Sequence, residues 1–221
     1  MKITELKLPV EEGVYDPDIF KAVFMAGAPG AGKSTVARKL FSSTGLRSLN
    51  IDNFHEMYLK LDKLEKEPDQ KHFHRLTQKQ RANYLDGRLG LLIDGTGRDL
   101  ERVSSSKEEL ESLGYETAMV FVNSSLNQSL ERARRREEAG GRRVDPVFIE
   151  RSWNQTQKNL GSLQQIFSGR FFIIDNERDM KDITYIEKEL KKFLASEPNR
   201  PQARSWIKSQ LQAKSQSGKS D

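Results

Sequence analysis

The chain has 221 residues, of which 35% are hydrophobic and 31% charged, with a formal net charge of +5. That length suits one large domain with a tail, and the mild positive balance favours anionic ligands without by itself implying nucleic acid. The absence of cysteine excludes disulfides, zinc–thiolate sites, thiol catalysis and iron–sulfur clusters.

Residues 1–20, with Pro9, Pro17 and several acids, read as an extended lead-in. No apolar core of signal-peptide length follows Met1, and no apolar run approaches the roughly 18 residues of a membrane span, so a cytoplasmic protein without membrane contact is expected. The apolar run 22–26 predicts a buried first strand. It leads into Gly27-Ala28-Pro29-Gly30-Ala31-Gly32-Lys33-Ser34-Thr35, a match to the pattern of glycine, four residues, then Gly-Lys-Ser. A helix is expected over 33–41. A short second strand, 49–51, ends at Asp52. Phe54, Met57, Tyr58, Leu61 and Leu64 then recur at helical spacing until Pro68. His72 and His74 fall in an expected loop and read as solvent-facing rather than metal-binding. A further helical piece covers 78–89.

Leu91-Leu92-Ile93 predicts a strand ending at Asp94, and a helix over 99–113 stops at Gly114. Another continuous apolar strand occupies 117–122. Ser125 and Gln128 form a capping box for the next helix, and Asp145-Pro146 opens a long helix to about Phe167. Residues 171–174 read as the last strand, and Ile183, Ile186, Leu190 and Phe193 as the inner face of a final helix. Strands without alternation, separated by helices, predict an α/β fold: a doubly wound, parallel, five-stranded sheet over 21–195. From 196 to 221 the composition turns to Ser, Gln, Lys, Pro and Arg, which predicts a mobile basic tail with a short helix around Trp206 and Leu211.

The glycine-rich segment has a chemical meaning. Gly27 to Thr35 presents bare backbone N–H groups to a phosphate, Lys33 adds a charge for the β/γ-phosphates, and the Ser34 hydroxyl is a Mg²⁺ ligand. The following helix points its positive end at the same anion. In doubly wound sheets ligands sit beyond the carboxyl ends of the strands, which makes strand-terminal polar residues the candidates for chemistry. Asp52 is placed to take a proton from an attacking hydroxyl, or to cap the helix near Phe54, or both. Asp94, in Ile93-Asp94-Gly95-Thr96-Gly97-Arg98, is a candidate Mg²⁺-water ligand, and Arg98 a candidate for substrate anions or transferring charge. The run from Arg132 to Arg143, hinged at Gly140-Gly141, reads as a lid carrying arginines over a polyphosphate, with a nucleic-acid patch and a solvated face as alternatives. Arg132 and Arg142 are the foremost candidates within it. No Asn-Lys-x-Asp segment exists, which favours adenine over guanine.

On Gly27 to Thr35, Ile51-Asp52-Asn53-Phe54, Ile93 to Arg98 and the arginine-bearing helix in that order, the chain resembles the zeta-toxin-like P-loop kinases and the related polynucleotide kinase domain, over about residues 22–195. The resemblance implies that Asp52 is the base, that Lys33 and Ser34 handle phosphate and metal, that Thr96 and Arg98 meet the acceptor, and that adenine sits near Asp175 and Asn176. It places the acceptor region between His55 and Leu89. The cofactors expected are ATP and Mg²⁺. The reaction expected is γ-phosphate transfer to a hydroxyl of a small molecule or sugar nucleotide. A nucleic-acid end kinase, with nucleic acid as partner, is the alternative, and an ATP-hydrolysing switch the second. Nothing in the sequence names a protein antidote.

Overall fold

The apolar runs form the sheet. In the computed structural model, which describes residues 13–50, 70–177 and 183–217, five strands lie parallel: β1 (Lys21–Ala26), β2 (Arg47–Leu49), β3 (Leu91–Asp94), β4 (Glu116–Asn123) and β5 (Phe171–Asp175). Their order is β2-β3-β1-β4-β5, with Val23 opposite Leu92 on one side and Ala118 on the other. β1 and nearly all of β4 are buried on both faces, which is why neither alternates. Alternate residues still divide between two cores. Val23, Met25, Val120 and Val122 meet α1 (Lys33–Phe41) and α6 (Ile183–Ala195). Ala22, Phe24, Met119 and Phe121 meet α3 (Leu100–Ser112), α5 (Pro146–Ile166) and α7 (Pro201–Ser217). The doubly wound α/β architecture is therefore as expected. α2 (Gln70–Asp86) and α4 (Leu126–Glu138) complete the seven helices among the described residues.

Local chemistry sets the helix ends. The Asp99 side chain accepts from the Arg102 N–H at 3.0 Å, Ser125 from Gln128 at 3.3 Å and Asp145 from Val147 at 2.9 Å. The last two are N-caps expected from sequence, but the expected capping box at Ser125 closes on one side only, because the Ser125 N–H donates to the Glu177 side chain and not to that of Gln128.

Three expectations are corrected. β2 begins at Arg47, two residues before the expected start, because Arg47–Leu49 pair with Leu91–Ile93 despite two polar side chains on an edge strand. α2 begins at Gln70 rather than 78, so His72 and His74 stand on a helix and not in a loop. Both are exposed as expected, while Phe73 between them is buried. The short helix expected around Trp206 and Leu211 in the tail is longer and docked: α7 has 17 residues, its Ala203 is fully buried against Gly114, and its Trp206 meets Phe20 edge-on, ring centroids 5.4 Å apart. The expected end of the second strand, Asp52, His55 and the helix from Phe54 lie outside the described residues.

The amino-terminal edge of the sheet carries a buried ion pair. Lys21 and Glu116, opposite each other in register, are 1% and 5% exposed at their side chains and hydrogen-bonded. Lys21 Nζ also donates to Ser196 Oγ at 2.7 Å, and Arg170 reaches Glu116 at 3.7 Å. Burial pulls the Lys21 pKa below its ordinary value, against the opposing pull of Glu116. Burial likewise pushes the Tyr115 phenol up; its hydroxyl donates to the Leu89 carbonyl at 3.0 Å. None of this touches the opposite edge, where the site lies. Among the described residues no helix is long and apolar enough to cross a membrane.

Candidate active site

At the carboxyl ends of β1, β2 and β3 a cleft of about 990 Å³ opens. Its floor is the loop between β1 and α1. Pro29, Gly30, Gly32, Lys33, Ser34 and Thr35 line it, and Gly32 caps α1 in the left-handed region at φ 92°. Within the loop, Ala31 N–H turns back to the Ala28 carbonyl at 3.1 Å and Gly27 N–H leaves to the Thr96 carbonyl at 3.2 Å. The N–H groups of Gly30, Gly32, Lys33 and Ser34 have no hydrogen-bond acceptor among the described residues. Unpaired amides at a helix N-terminus, with Lys33 beside them, fit the oxygens of a phosphate. Lys33 Nζ rests on the Gly27 and Ala28 carbonyls at 2.9 and 3.3 Å, so its ammonium stays over the loop. Gly30 is fixed by contact: at φ 84°, a Cβ there would meet the Ser129 carbonyl oxygen of α4 at 2.1 Å.

The second wall is the segment after β3. Asp94, Gly95, Thr96, Gly97 and Arg98 all line the cleft, and Asp94 Oδ2 accepts from Asn50 Nδ2 at 2.8 Å. Ser34 and Asp94 thus present a hydroxyl and a carboxylate to one space. Such hard oxygen donors suit Mg²⁺, which keeps most of its waters. The backbone of this segment is held by α5. Thr156 Oγ1 donates to the Thr96 carbonyl at 3.0 Å, and Asn159 Nδ2 donates to the Gly97 and Arg98 carbonyls at 3.0 and 2.8 Å. Thr96 therefore receives both the first glycine of the phosphate loop and a buried threonine of α5. Gly97, at φ 73°, lies where a Cβ would come within 2.9 Å of Ala26 and 3.0 Å of Leu163.

The arginine run divides by partner. Arg132 donates to the Ala31 carbonyl at 3.3 Å and to the Asn176 carbonyl at 2.6 Å. Arg132, Arg136 and Arg142 line the cleft. Arg134, Arg135 and Arg143 instead pair with Glu138, Glu131 and Glu137 on the surface. Asn176 is not a wall of the cleft. Its side-chain amide donates to the Ala31 carbonyl at 2.8 Å and its N–H to Asn123, so it braces the phosphate loop from the end of β5.

The third wall is α2, which lies within the expected acceptor region 55–89, and α3, which the sequence did not single out. His74, Thr77, Gln78 and Arg81 of α2 face Arg102, Ser105, Ser106 and Glu109 of α3 across the cleft. Arg81 spans the gap as a two-pronged pair with Glu109 at 2.9 and 2.8 Å. The signal is polar and helical: His74, Thr77, Gln78 and Arg81 recur at spacings of three and four, as do Arg102, Ser105, Ser106 and Glu109. The buried polar row Ser152, Thr156 and Asn159 on α5 was similarly hidden among the apolar residues that mark its inner face.

Together, the parallel sheet and the glycine loop at the end of β1 define a P-loop kinase fold. The chain matches the Zeta toxin family model over residues 16–188, and it belongs to that family. Comparison with curated protein sequences gives no match. Among solved structures, a chain from the PezAT chromosomal toxin–antitoxin system of Streptococcus pneumoniae is 20% identical at a TM-score of 0.52, over 91% of this chain and 88% of that one. A chain of the Pnkp1/Rnl/Hen1 RNA repair complex is 22% identical at a TM-score of 0.52, over 64% of this chain and 45% of that one. A chain of the AvrRxo1-ORF1:-ORF2 structure with ATP is 12% identical at a TM-score of 0.59, over 75% of this chain and 59% of that one. This chain therefore spans about half the length of two of these relatives, and at such identities the likeness is one of fold.

Proposed function

We propose that the protein is an ATP-dependent phosphotransferase that moves the γ-phosphate to a hydroxyl of a small molecule or sugar nucleotide. The observation that carries this reading is the convergence on one cleft of the unpaired loop amides, Lys33, Ser34, Asp94 and Arg98. A phosphoryl group in flight needs little covalent help; positioning and charge stabilisation supply most of the catalysis. The loop amides and Lys33 hold the β- and γ-phosphates. Ser34 and Asp94 are the residues that would hold Mg²⁺, whose role there is to neutralise phosphate charge. Arg98, Arg132 and Arg142 face the same space and offset the charge that spreads over the transferring group.

Asp52 is proposed as the base. It follows Asn50, which lines the cleft, by two positions in the chain. The acceptor oxygen attacks the γ-phosphorus and gives its proton to the carboxylate. The bond from γ-phosphorus to the bridging oxygen breaks, and ADP leaves with that electron pair. His55 and Thr96 are proposed to meet the acceptor, together with the α2 and α3 wall.

The test is a screen with γ-labelled ATP and Mg²⁺ against nucleoside diphosphate sugars, free sugars and oligonucleotides with 5′-hydroxyl ends. Label in a sugar nucleotide or small molecule supports the reading. Label in oligonucleotides alone moves the assignment to a nucleic-acid end kinase. Release of inorganic phosphate with every acceptor absent or present alike leaves an ATP-hydrolysing switch. The surface ion pairs of Arg134, Arg135 and Arg143 weigh against an open nucleic-acid patch on α4, since their charge is already answered by neighbouring acids.

A further inference from the structure

Arg98 is gripped at both ends by one helix. Its carbonyl, with that of Gly97, is held by Asn159 Nδ2, a buried amide whose Oδ1 in turn accepts from Gln155 Nε2 at 3.0 Å. Its guanidinium stacks on the ring of Phe148, 4.9 Å from the centroid. Phe148 and Asn159 are eleven residues apart on α5, just over three full turns, so they share a face about 16 Å apart along the axis. The Arg98 side chain therefore runs along α5, from its anchored backbone toward the first turn of the helix. Phe148 is 39% exposed and lines the cleft, which is unusual for a phenylalanine whose packing duty is small. The ring stands three residues after Asp145, where the connection carrying Arg142 enters the helix.

We infer that Phe148 and Asn159 are positioning residues for Arg98: the amide fixes where its backbone stands and the ring fixes where its charged head points. This rests on the proposed phosphotransfer and adds to it. A long arginine loses much rotamer freedom when it binds an anion, and a ring that holds the fork beforehand lowers that cost.

The experiment uses the full chain with Phe148→Leu, Phe148→Tyr, Asn159→Asp, Arg98→Ala and the double variant Phe148→Leu/Arg98→Ala. Tyrosine keeps the ring, leucine removes it at a surface position that does not threaten folding, and aspartate removes the donor without changing shape. The first readout needs no reaction: the Arg98 Nε–Hε resonance, shifted by the ring current in the wild type and in Phe148→Tyr, moves to its free position in Phe148→Leu. The second is phosphate transfer from ATP to a pool of UDP-, GDP- and ADP-linked sugars. Expected is a roughly three- to tenfold loss of kcat/KM for the acceptor in Phe148→Leu with ATP affinity unchanged, recovery in Phe148→Tyr, and a larger loss in Asn159→Asp. The double variant is expected to be no worse than Arg98→Ala alone. A resonance unmoved by the loss of the ring, or losses that add in the double variant, overturns this inference while leaving the proposed function intact. Wild-type protein that transfers no phosphate to any acceptor overturns the function and the inference together.

Discussion

Gly30 occupies one of the four positions that the phosphate-loop pattern leaves open, yet the structure gives it no latitude. In Gly30→Ala the new Cβ would lie 2.1 Å from the Ser129 carbonyl oxygen, 2.8 Å from its carbonyl carbon and 2.9 Å from its Cα. Those are backbone atoms of α4, and Ser129 is fully buried and bonded to Ser124 Oγ at 2.8 Å, so the helix cannot step aside easily. The alanine must also keep φ near 84°, which costs about 1–2 kcal/mol. Overpacking adds about 1–3 kcal/mol. The sum, about 2–5 kcal/mol, corresponds to a fall in Tm of roughly 4–20 °C for a domain of this size. The loop relieves the clash by moving away from α4, which misdirects the amides, so ATP affinity falls with stability. Thermal melts with and without ATP, alongside calorimetric titration, measure both. Gly161→Ala is the control: nothing lies within 4 Å of its added Cβ on α5, and a helical alanine there stabilises by about 0.5–1 kcal/mol. Gly30→Ala with wild-type melting and wild-type ATP affinity would refute the steric argument.

Lys21→Met leaves Glu116 buried with only Arg170 at 3.7 Å, and is expected to cost about 3 kcal/mol in urea unfolding, while Lys21→Met/Glu116→Leu recovers most of it; a single variant as stable as the double would contradict this. Burial raises the Glu111 pKa, but hydrogen bonds from Lys107 and Thr117 and the charges of Lys107 and Arg200 outweigh it, so its folded pKa lies below 4.5. A depressed carboxyl pKa means stability that is present above pH 4.5 and lost as pH falls through the folded value. Glu111→Gln should therefore reduce stability at pH 7 and flatten its decline below pH 4.5; an unchanged acid limb would rule Glu111 out as a contributor.

The parts legible in the sequence are those where one physical demand dominates. The central runs of β1 (22–26) and β4 (118–122) are buried on both faces and so apolar without a break, and the phosphate loop needs glycine and lysine at set spacings. Ser125 and Asp145 announce helices because a cap requires an oxygen at that position. The illegible parts obey tertiary demands. Arg47 enters the sheet because β3 offers it a partner, against its own polarity. α7 docks with little more than Ala203, Trp206 and Ile207, too few apolar positions to outweigh its Ser, Gln and Lys content on paper. Thr156 and Asn159 of α5 gave no signal in the sequence because a buried hydrogen bond to a distant carbonyl leaves no local trace. The arginine run showed charge but not partner, and only the fold separates Arg132, Arg136 and Arg142 from the surface-paired Arg134, Arg135 and Arg143.

The most direct test of the account is transfer of label from γ-labelled ATP to organic acceptors by wild-type protein and by Asp52→Asn, with ATP binding measured on both. The account predicts labelled organic phosphate from the wild type, a loss of about a hundredfold or more in Asp52→Asn, and equal ATP affinity. Label recovered only as inorganic phosphate, or transfer by Asp52→Asn at the wild-type rate, would contradict it.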